Sequence, residues 1–394
     1  MSRPISVRER RARLARRHHL TPHTRAHSVV EVATDLVALH ATDPATVHLA
    51  AGARLARPSV AAVEQALYDD RSLVRMLGMR RTMFVVPDDC APVVQAACTD
   101  AIATVERRRL VQHLGLAGIG GDDPDAWLKE VGEDTVRALA ARGQAFATEL
   151  AADEPRLREQ LAMAADKPYG AVVNVTSRVL NVLSAEGRIV RGRPRGSCTP
   201  SLSRGSTPAH WRPAGIERWS PGAARTELAG RWLRAFGPAP LTDLRWWTGW
   251  TAGDAKQALA GLDVVEVELE AGGTGLLLAN DTAPVPDAEP WIALLPGLDP
   301  TVMGWAARDW YLGPHGPALF DRSGNAGPTV WSDGRIVGGW AQAKDGEVRY
   351  RLLEDVGGEV TSQVERAAAE LTGWLGPIRV TPRFRTPLER ELSG

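Results

Sequence analysis

The residue pattern predicts an α+β protein built in two styles, and three observations carry that prediction. Up to about residue 283, apolar residues recur at helical spacing in an Ala/Leu/Val-rich chain. From Pro284 onward, Gly, Pro and Trp separate short apolar runs that read as strands. Of thirteen tryptophans only Trp127 precedes residue 210, so the two halves have different architectures. At 394 residues the chain is longer than one small domain.

The elements follow in order. Val29, Val32, Leu36 and Leu39 share one face of an amphipathic helix that should end before Pro44, because the residue preceding a proline avoids helical geometry. A second helix follows Pro58-Ser59, with Val60, Val63, Ala66 and Leu67 on one face. Leu73–Gly78 and Thr82–Val86 then read as two strands about a turn. Two helices followed by a two-stranded ribbon outline a winged helix, and the outline recurs. Its second copy is a helix over Thr135–Arg142, a break at Gly143, helices through Phe146–Leu150 and Thr176–Glu186, and a basic wing from Arg188 to Gly196. A third copy starts near Ala223, passes Leu241–Thr248 and a capping box at Thr251–Asp254, and ends in the strand Val264–Leu269. Beyond it, strands are expected at Trp291–Leu295, Pro328–Trp331, Arg335–Trp340 and Val348–Leu353, then a helix over Val360–Leu375 and a last strand at Ile378–Val380. The expected divisions are 1–90, 91–222, 223–283 and 284–394, the first carrying a basic N-terminal arm.

Composition narrows the function. No apolar run approaches the roughly 18–20 residues of a membrane helix, and no apolar stretch follows the basic N-terminus, so neither a membrane partner nor a secretory signal is expected. Cys90, Cys98 and Cys198 form no CxxC pair, which argues against a zinc site and a disulfide framework and points to a reducing cytoplasm. Net charge is zero, against a uniformly basic DNA-coating protein. Arginines nevertheless crowd residues 3–25 and 188–212, and local basic patches attract phosphate over about a Debye length, roughly 8 Å. Only four lysines accompany them, so coding bias also explains the arginine preference. There is no HExxH pair, no Walker-type glycine loop and no nucleophile elbow. No metal and no cofactor are expected.

Two phrases are more specific. The first is Leu36-Val-Ala-Leu-His40-Ala41-Thr42-Asp43-Pro44. The second is Leu294-Leu-Pro296-Gly-Leu-Asp299, followed by Asp333-Gly334-Arg335-Ile-Val-Gly338-Gly339-Trp340. In that order they resemble the AlkZ/YcaQ family of bacterial winged-helix DNA glycosylases, over nearly the whole chain. The resemblance implies three winged helices, a β-barrel-like C-terminal domain and a monomer acting on damaged double-stranded DNA, in the cytoplasm or on the nucleoid. It also implies a catalytic triplet of two polar residues about a hydrophobic one, usually Gln-hydrophobic-Gln or Gln-hydrophobic-Asp. Here His40, Ala41 and Thr42 occupy those positions, and Asp43 and Pro44 match the residues beyond.

Cleaving an N-glycosidic bond develops positive charge on the sugar and needs a water held near C1′. A cationic alkylpurine is already a good leaving group, so a dipole or weak base suffices. His40 can orient that water or act as a base, Thr42 can hold it, and Asp43 offers a carboxylate. For DNA contacts the candidates are Arg80 and Arg81, where the family often has Arg-Gly-Thr, and Arg191, Arg193 and Arg195 of the basic wing. Asp299 and Asp333 read as turn residues, and Trp246, Trp247 and Trp250 as core with a capacity to stack bases. Two functions fit: a monofunctional glycosylase for alkylated or crosslinked purines, and a non-enzymatic DNA-binding protein whose triplet has decayed.

Overall fold

The computed structural model describes residues 3–163, 171–194, 203–212, 217–270 and 272–394. One order of elements recurs three times: a helix, a short extended segment, two helices, then two strands. In the first unit these are Val29–Asp35, Leu39–His40, Pro44–Gly52, Val60–Glu64, Leu73–Gly78 and Thr82–Pro87. The Thr82–Pro87 strand lies between the other two, antiparallel to both. Ser28 caps the first helix by accepting from the Glu31 amide. That helix stops at Asp35, short of the expected end, because Val37 takes φ 65 and turns the chain into a strand. Pro44 begins a helix rather than ending one. Asp43 accepts from the Ala45 amide, and proline fits the first helical turn, where no N–H partner is needed.

The second unit runs through Pro124–Arg142, Gln144–Ala145, Ala147–Asp153, Thr176–Ala185, Val190–Pro194 and Ser203–Ser206. Its first helix starts eleven residues before the expected Thr135, at a cap made by Asp123. In the third unit the helices Pro221–Phe236, Leu241–Thr248 and Ala252–Ala260 precede the hairpin of Val264–Leu269 and Thr274–Leu278, with Ala239 bridged to Leu276. Thr251 caps as expected, accepting from the Asp254 amide and bonding its carboxylate. The N-terminal strand Pro4–Ile5 joins this hairpin, parallel to Val264–Leu269.

That placement corrects the expected basic arm. Val7–Arg17 is a packed helix whose arginines are consumed internally. Arg13 is 1% exposed and binds Glu9, Asp281 and the Ala283 carbonyl. Arg17 binds Asp281, and Arg10 lies over Trp310. A guanidinium presents five donors in a fixed fork, which suits it to carbonyls and carboxylates inside a protein as well as to phosphate.

The C-terminal region is also corrected: no sheet among the described residues closes into a barrel. Ile292–Leu295, Thr329–Ser332, Arg335–Gln342 and Val348–Leu352 form an open antiparallel sheet in sequence order. Its turn at Asp333-Gly334 has φ 48 and φ 81, the left-handed pair of a tight hairpin. Instead of closure, the Gly357–Leu375 helix covers one face, packing Val364, Ala368 and Leu375 on Leu294, Val330 and Val337. The expected strand at Ile378–Val380 does not form; the Val380 amide donates to the Gln342 side chain instead. The largest core joins Phe84 of the first unit to Trp232, Phe236 and Trp247 of the third and to Trp305 and Trp331 of the C-terminal region. No helix among the described residues is long and apolar enough to cross a membrane.

Candidate nucleic-acid site

The His40–Asp43 phrase leaves the Leu39–His40 strand and enters the cap of the Pro44–Gly52 helix. Strand alternation sorts its side chains: Leu39 and Ala41 enter the first unit's core, and His40 faces away from it. Its ring lies against Phe84, centroids 4.5 Å apart. His40 is 4% exposed, and neither ring nitrogen has a hydrogen-bond partner. The Thr42 hydroxyl is likewise buried and unpartnered. Burial, and then the neighbouring Arg80 cation, push the imidazole down to about 3, so it is neutral throughout the physiological range. Asp43 is fully engaged, one oxygen accepting from the Ala45 amide and the other from the Arg383 amide.

Sequence reasoning missed several neighbours of this phrase. Arg383 also reaches the Thr42 carbonyl at 3.4 Å, and Arg75 donates to the Ala41 carbonyl at 2.8 Å. Both approach from far along the chain or across the sheet, with no local signal. A cleft of about 620 Å³ opens beside Asp43 and is lined by His48, Tyr68, Arg75, Arg193, Trp374 and Arg379 among others. It lies between the first unit, the second unit's wing and the C-terminal segment.

The expected DNA contacts are not brought together equally. Arg80 and Arg81 form the turn between Leu73–Gly78 and Thr82–Pro87, both left-handed with φ 53 and φ 58. Arg80 lies over the Trp246 indole at 4.0 Å, and Arg81 pairs with Glu106 at the surface. In the wing, Arg191 bonds Asn181. Arg193 bonds Glu64 and Asp69 and lies over Tyr68, which closes the wing onto the first unit. Arg195 lies outside the described residues. Trp247 and Trp250 are core, and Trp246 is partly exposed. Asp299 is a buried ion-pair partner rather than a turn carboxylate, gripping Arg54 with both oxygens at 2.9 and 2.6 Å.

A family model described as DNA glycosylase AlkZ-like matches residues 33–374, which include the His40 phrase, the first unit from within its opening helix, the other two units and the open sheet. The chain belongs to the AlkZ-like DNA glycosylase family. Among solved structures, the Streptomyces sahachiroi DNA glycosylase AlkZ shares the fold with a TM-score of 0.72 and 23% identity, over 94% of this chain and 97% of that one. No curated protein sequence matches the chain. Membership supports a DNA-repair glycosylase, a hydrolase of the N-glycosidic bond, with DNA as substrate.

Proposed function

We propose that this family member is a monofunctional glycosylase that removes alkylated or crosslinked purines from double-stranded DNA, acting as a monomer in the cytoplasm or on the nucleoid. The three repeated units are read as winged helices that embrace the duplex. The observation that carries the catalytic part is the set of orphaned polar atoms at the two polar triplet positions, both His40 nitrogens and the Thr42 hydroxyl. Leaving a buried polar group unpaired costs about 1–3 kcal/mol, so such a cluster marks a place for a polar ligand. A water bonded to one His40 ring nitrogen and to the Thr42 hydroxyl satisfies two of these three atoms.

In this reading the purine departs with the electrons of its bond to C1′, leaving an oxocarbenium-like sugar. The held water adds to C1′ and releases its proton to solvent. His40 serves as a hydrogen-bond acceptor rather than a strong base, because its imidazole is so hard to protonate. Asp43 supports the site by holding the helix cap and the Arg383 segment. A binding-only protein is the second reading, favoured by one observation: no carboxylate of the phrase is left free, since both Asp43 oxygens bind backbone amides.

The test uses duplexes carrying N7-methylguanine or a crosslink, with alkali-revealed strand cleavage as readout. Excision by the wild type and a loss in His40→Ala of about 10-fold, the worth of one hydrogen bond to the water (about 10²-fold or more were His40 the general base), with DNA affinity retained, supports the enzyme. An inert wild type refutes it. Activity appearing only when glutamine is placed at positions 40 and 42 identifies the binding-only protein.

A further inference from the structure

Arg80 and Arg308 share one aromatic ring without a carboxylate partner, whereas several other arginines are matched with carboxylates: Arg81 with Glu106, Arg193 with Glu64 and Asp69, Arg54 with Asp299. Arg80 and Arg308 have no carboxylate within ion-pair distance among the described residues. Yet both guanidiniums lie over one indole, that of Trp246, at 4.0 and 4.9 Å from the ring centroid. Each is only partly exposed, and the Arg80 Nε is buried with no partner. Arg308 anchors its own Nε on the Trp305 carbonyl, and its guanidinium also lies over the Phe320 ring at 4.8 Å. The two like charges repel, and burial with Arg308 nearby draws the Arg80 guanidinium down to about 10.

The backbone is also spent on this arrangement. Arg80 and Arg81 are both left-handed in the three-residue turn Met79–Arg81 between the paired Gly78 and Thr82, at roughly 1 kcal/mol or more per residue. Strain of this kind persists where surrounding structure imposes it and collects at functional sites. The third unit packs on this turn: Gly249, at the C-terminus of the Leu241–Thr248 helix, lies in ordinary contact with Arg80, a Cβ added there standing 3.4 Å from its Cγ and 3.5 Å from its backbone nitrogen. The carbonyl end of that helix offers Arg80 partial negative charge, while Asp243 in its first turn acts on Arg308 electrostatically but makes no ion-pair contact with it, its Oδ1 being held by the Ala306 and Ala307 amides.

We propose that Arg80 and Arg308, ordered over Trp246 beside His40, form a binding site for one phosphodiester of the DNA backbone next to the water-holding position. The inference rests on reading this face as the DNA-binding one. A phosphodiester supplies the single negative charge and the two acceptor oxygens that this cation pair lacks, and a guanidinium fork matches it. The Trp246 ring fixes both cations in advance, so little side-chain freedom is lost on binding. The site also draws on three regions at once: the first unit's turn, the third unit's helix and the C-terminal segment. A bound backbone therefore registers the duplex against all three.

The test is the salt dependence of binding to a short undamaged duplex, followed by fluorescence anisotropy. Arg80→Gln and Arg308→Gln combined should reduce the log–log salt slope by about 0.9, the value for one phosphate contact, and each alone by part of that. Arg351→Gln, which removes an exposed arginine already paired with Glu391, should leave the slope unchanged. Thermal melts check that the variants fold. Where a glutamine variant does not, Arg308→Lys replaces it, keeping the charge and losing the fork, with the slope held and affinity several-fold weaker. Folded glutamine variants with the wild-type slope, or a lysine variant with wild-type affinity, overturn the proposal. Wild-type protein inert on lesions while these slopes change strikes the enzymatic reading alone; excision with unchanged slopes strikes this site alone.

Discussion

Asp299→Ala tests whether the C-terminal region is fastened to the first unit by a buried charge pair. Arg54 and Asp299 are both fully buried. The guanidinium spans the Ala50 carbonyl, both Asp299 oxygens and the Thr301 hydroxyl, at 2.6–2.9 Å. Asp299 in turn accepts from the Thr301 amide, and the Thr301 hydroxyl meets His18 at 2.8 Å. Removing the carboxylate leaves a guanidinium with two neutral acceptors and no counter-charge, out of reach of water. Stranding one member of a buried pair costs about 3–5 kcal/mol, and loss of the short backbone bond adds roughly 1 kcal/mol. The expected destabilisation is therefore about 5 kcal/mol, read from urea denaturation midpoints at pH 7. Removing both charges, as in Arg54→Met with Asp299→Leu, should recover most of it, since apolar replacement of a buried pair is often neutral. A single variant within about 1 kcal/mol of wild type would falsify the argument, as would a double variant no more stable than the single.

Three further expectations follow from the site. His40 has its folded-state pKa lowered to about 3, so the unfolded chain binds a proton the native state refuses. Its contribution is nil above about pH 6.5 and destabilising as pH falls from there toward 3, by up to about 1.4 kcal/mol per unit. Wild type should thus lose stability relative to His40→Gln on acidification, and excision should stay flat between pH 5 and 8; a bell centred near 6.5 contradicts the acceptor role. Asp43→Ala should cost about 1–2 kcal/mol through the lost cap and Arg383 contact, visible as a lower denaturation midpoint. Arg81→Gly should raise stability by roughly 0.5–1 kcal/mol, because relief of a left-handed arginine outweighs an exposed pair with Glu106; a lower melting temperature refutes this.

Features written within a few residues were legible in the sequence. Thr251–Asp254 announces a helix start, and Asp333-Gly334 announces a tight turn, because a cap or a left-handed pair needs only local chemistry. Pro44 shows the limit of such signals: the same ring that ends one helix suits the first turn of the next, and Asp43 decides between them. The arginines of residues 3–25 misled because charge is visible in a sequence and its partner is not. Asp281, which neutralises Arg13 and Arg17, lies more than 260 residues away. For the site, the phrase from His40 to Asp43 was found by resemblance. What surrounds it was not: Arg308, Trp246 and Arg383 arrive from other regions, and burial rather than residue type makes His40 neutral.

The parallel pairing of Pro4–Ile5 with Val264–Leu269 bears on how the chain is made. During synthesis at roughly 5–20 residues per second, on the order of 13–50 s separate the emergence of the two strands. For that interval the first strand has no edge to join, and Arg13 and Arg17 wait for Asp281 with their charges exposed. The first two units are complete in sequence well before the third arrives to accept the chain's own beginning. Part of this protein's folding therefore returns to its start, because the N-terminal strand can be fixed only after Val264–Leu269 has emerged.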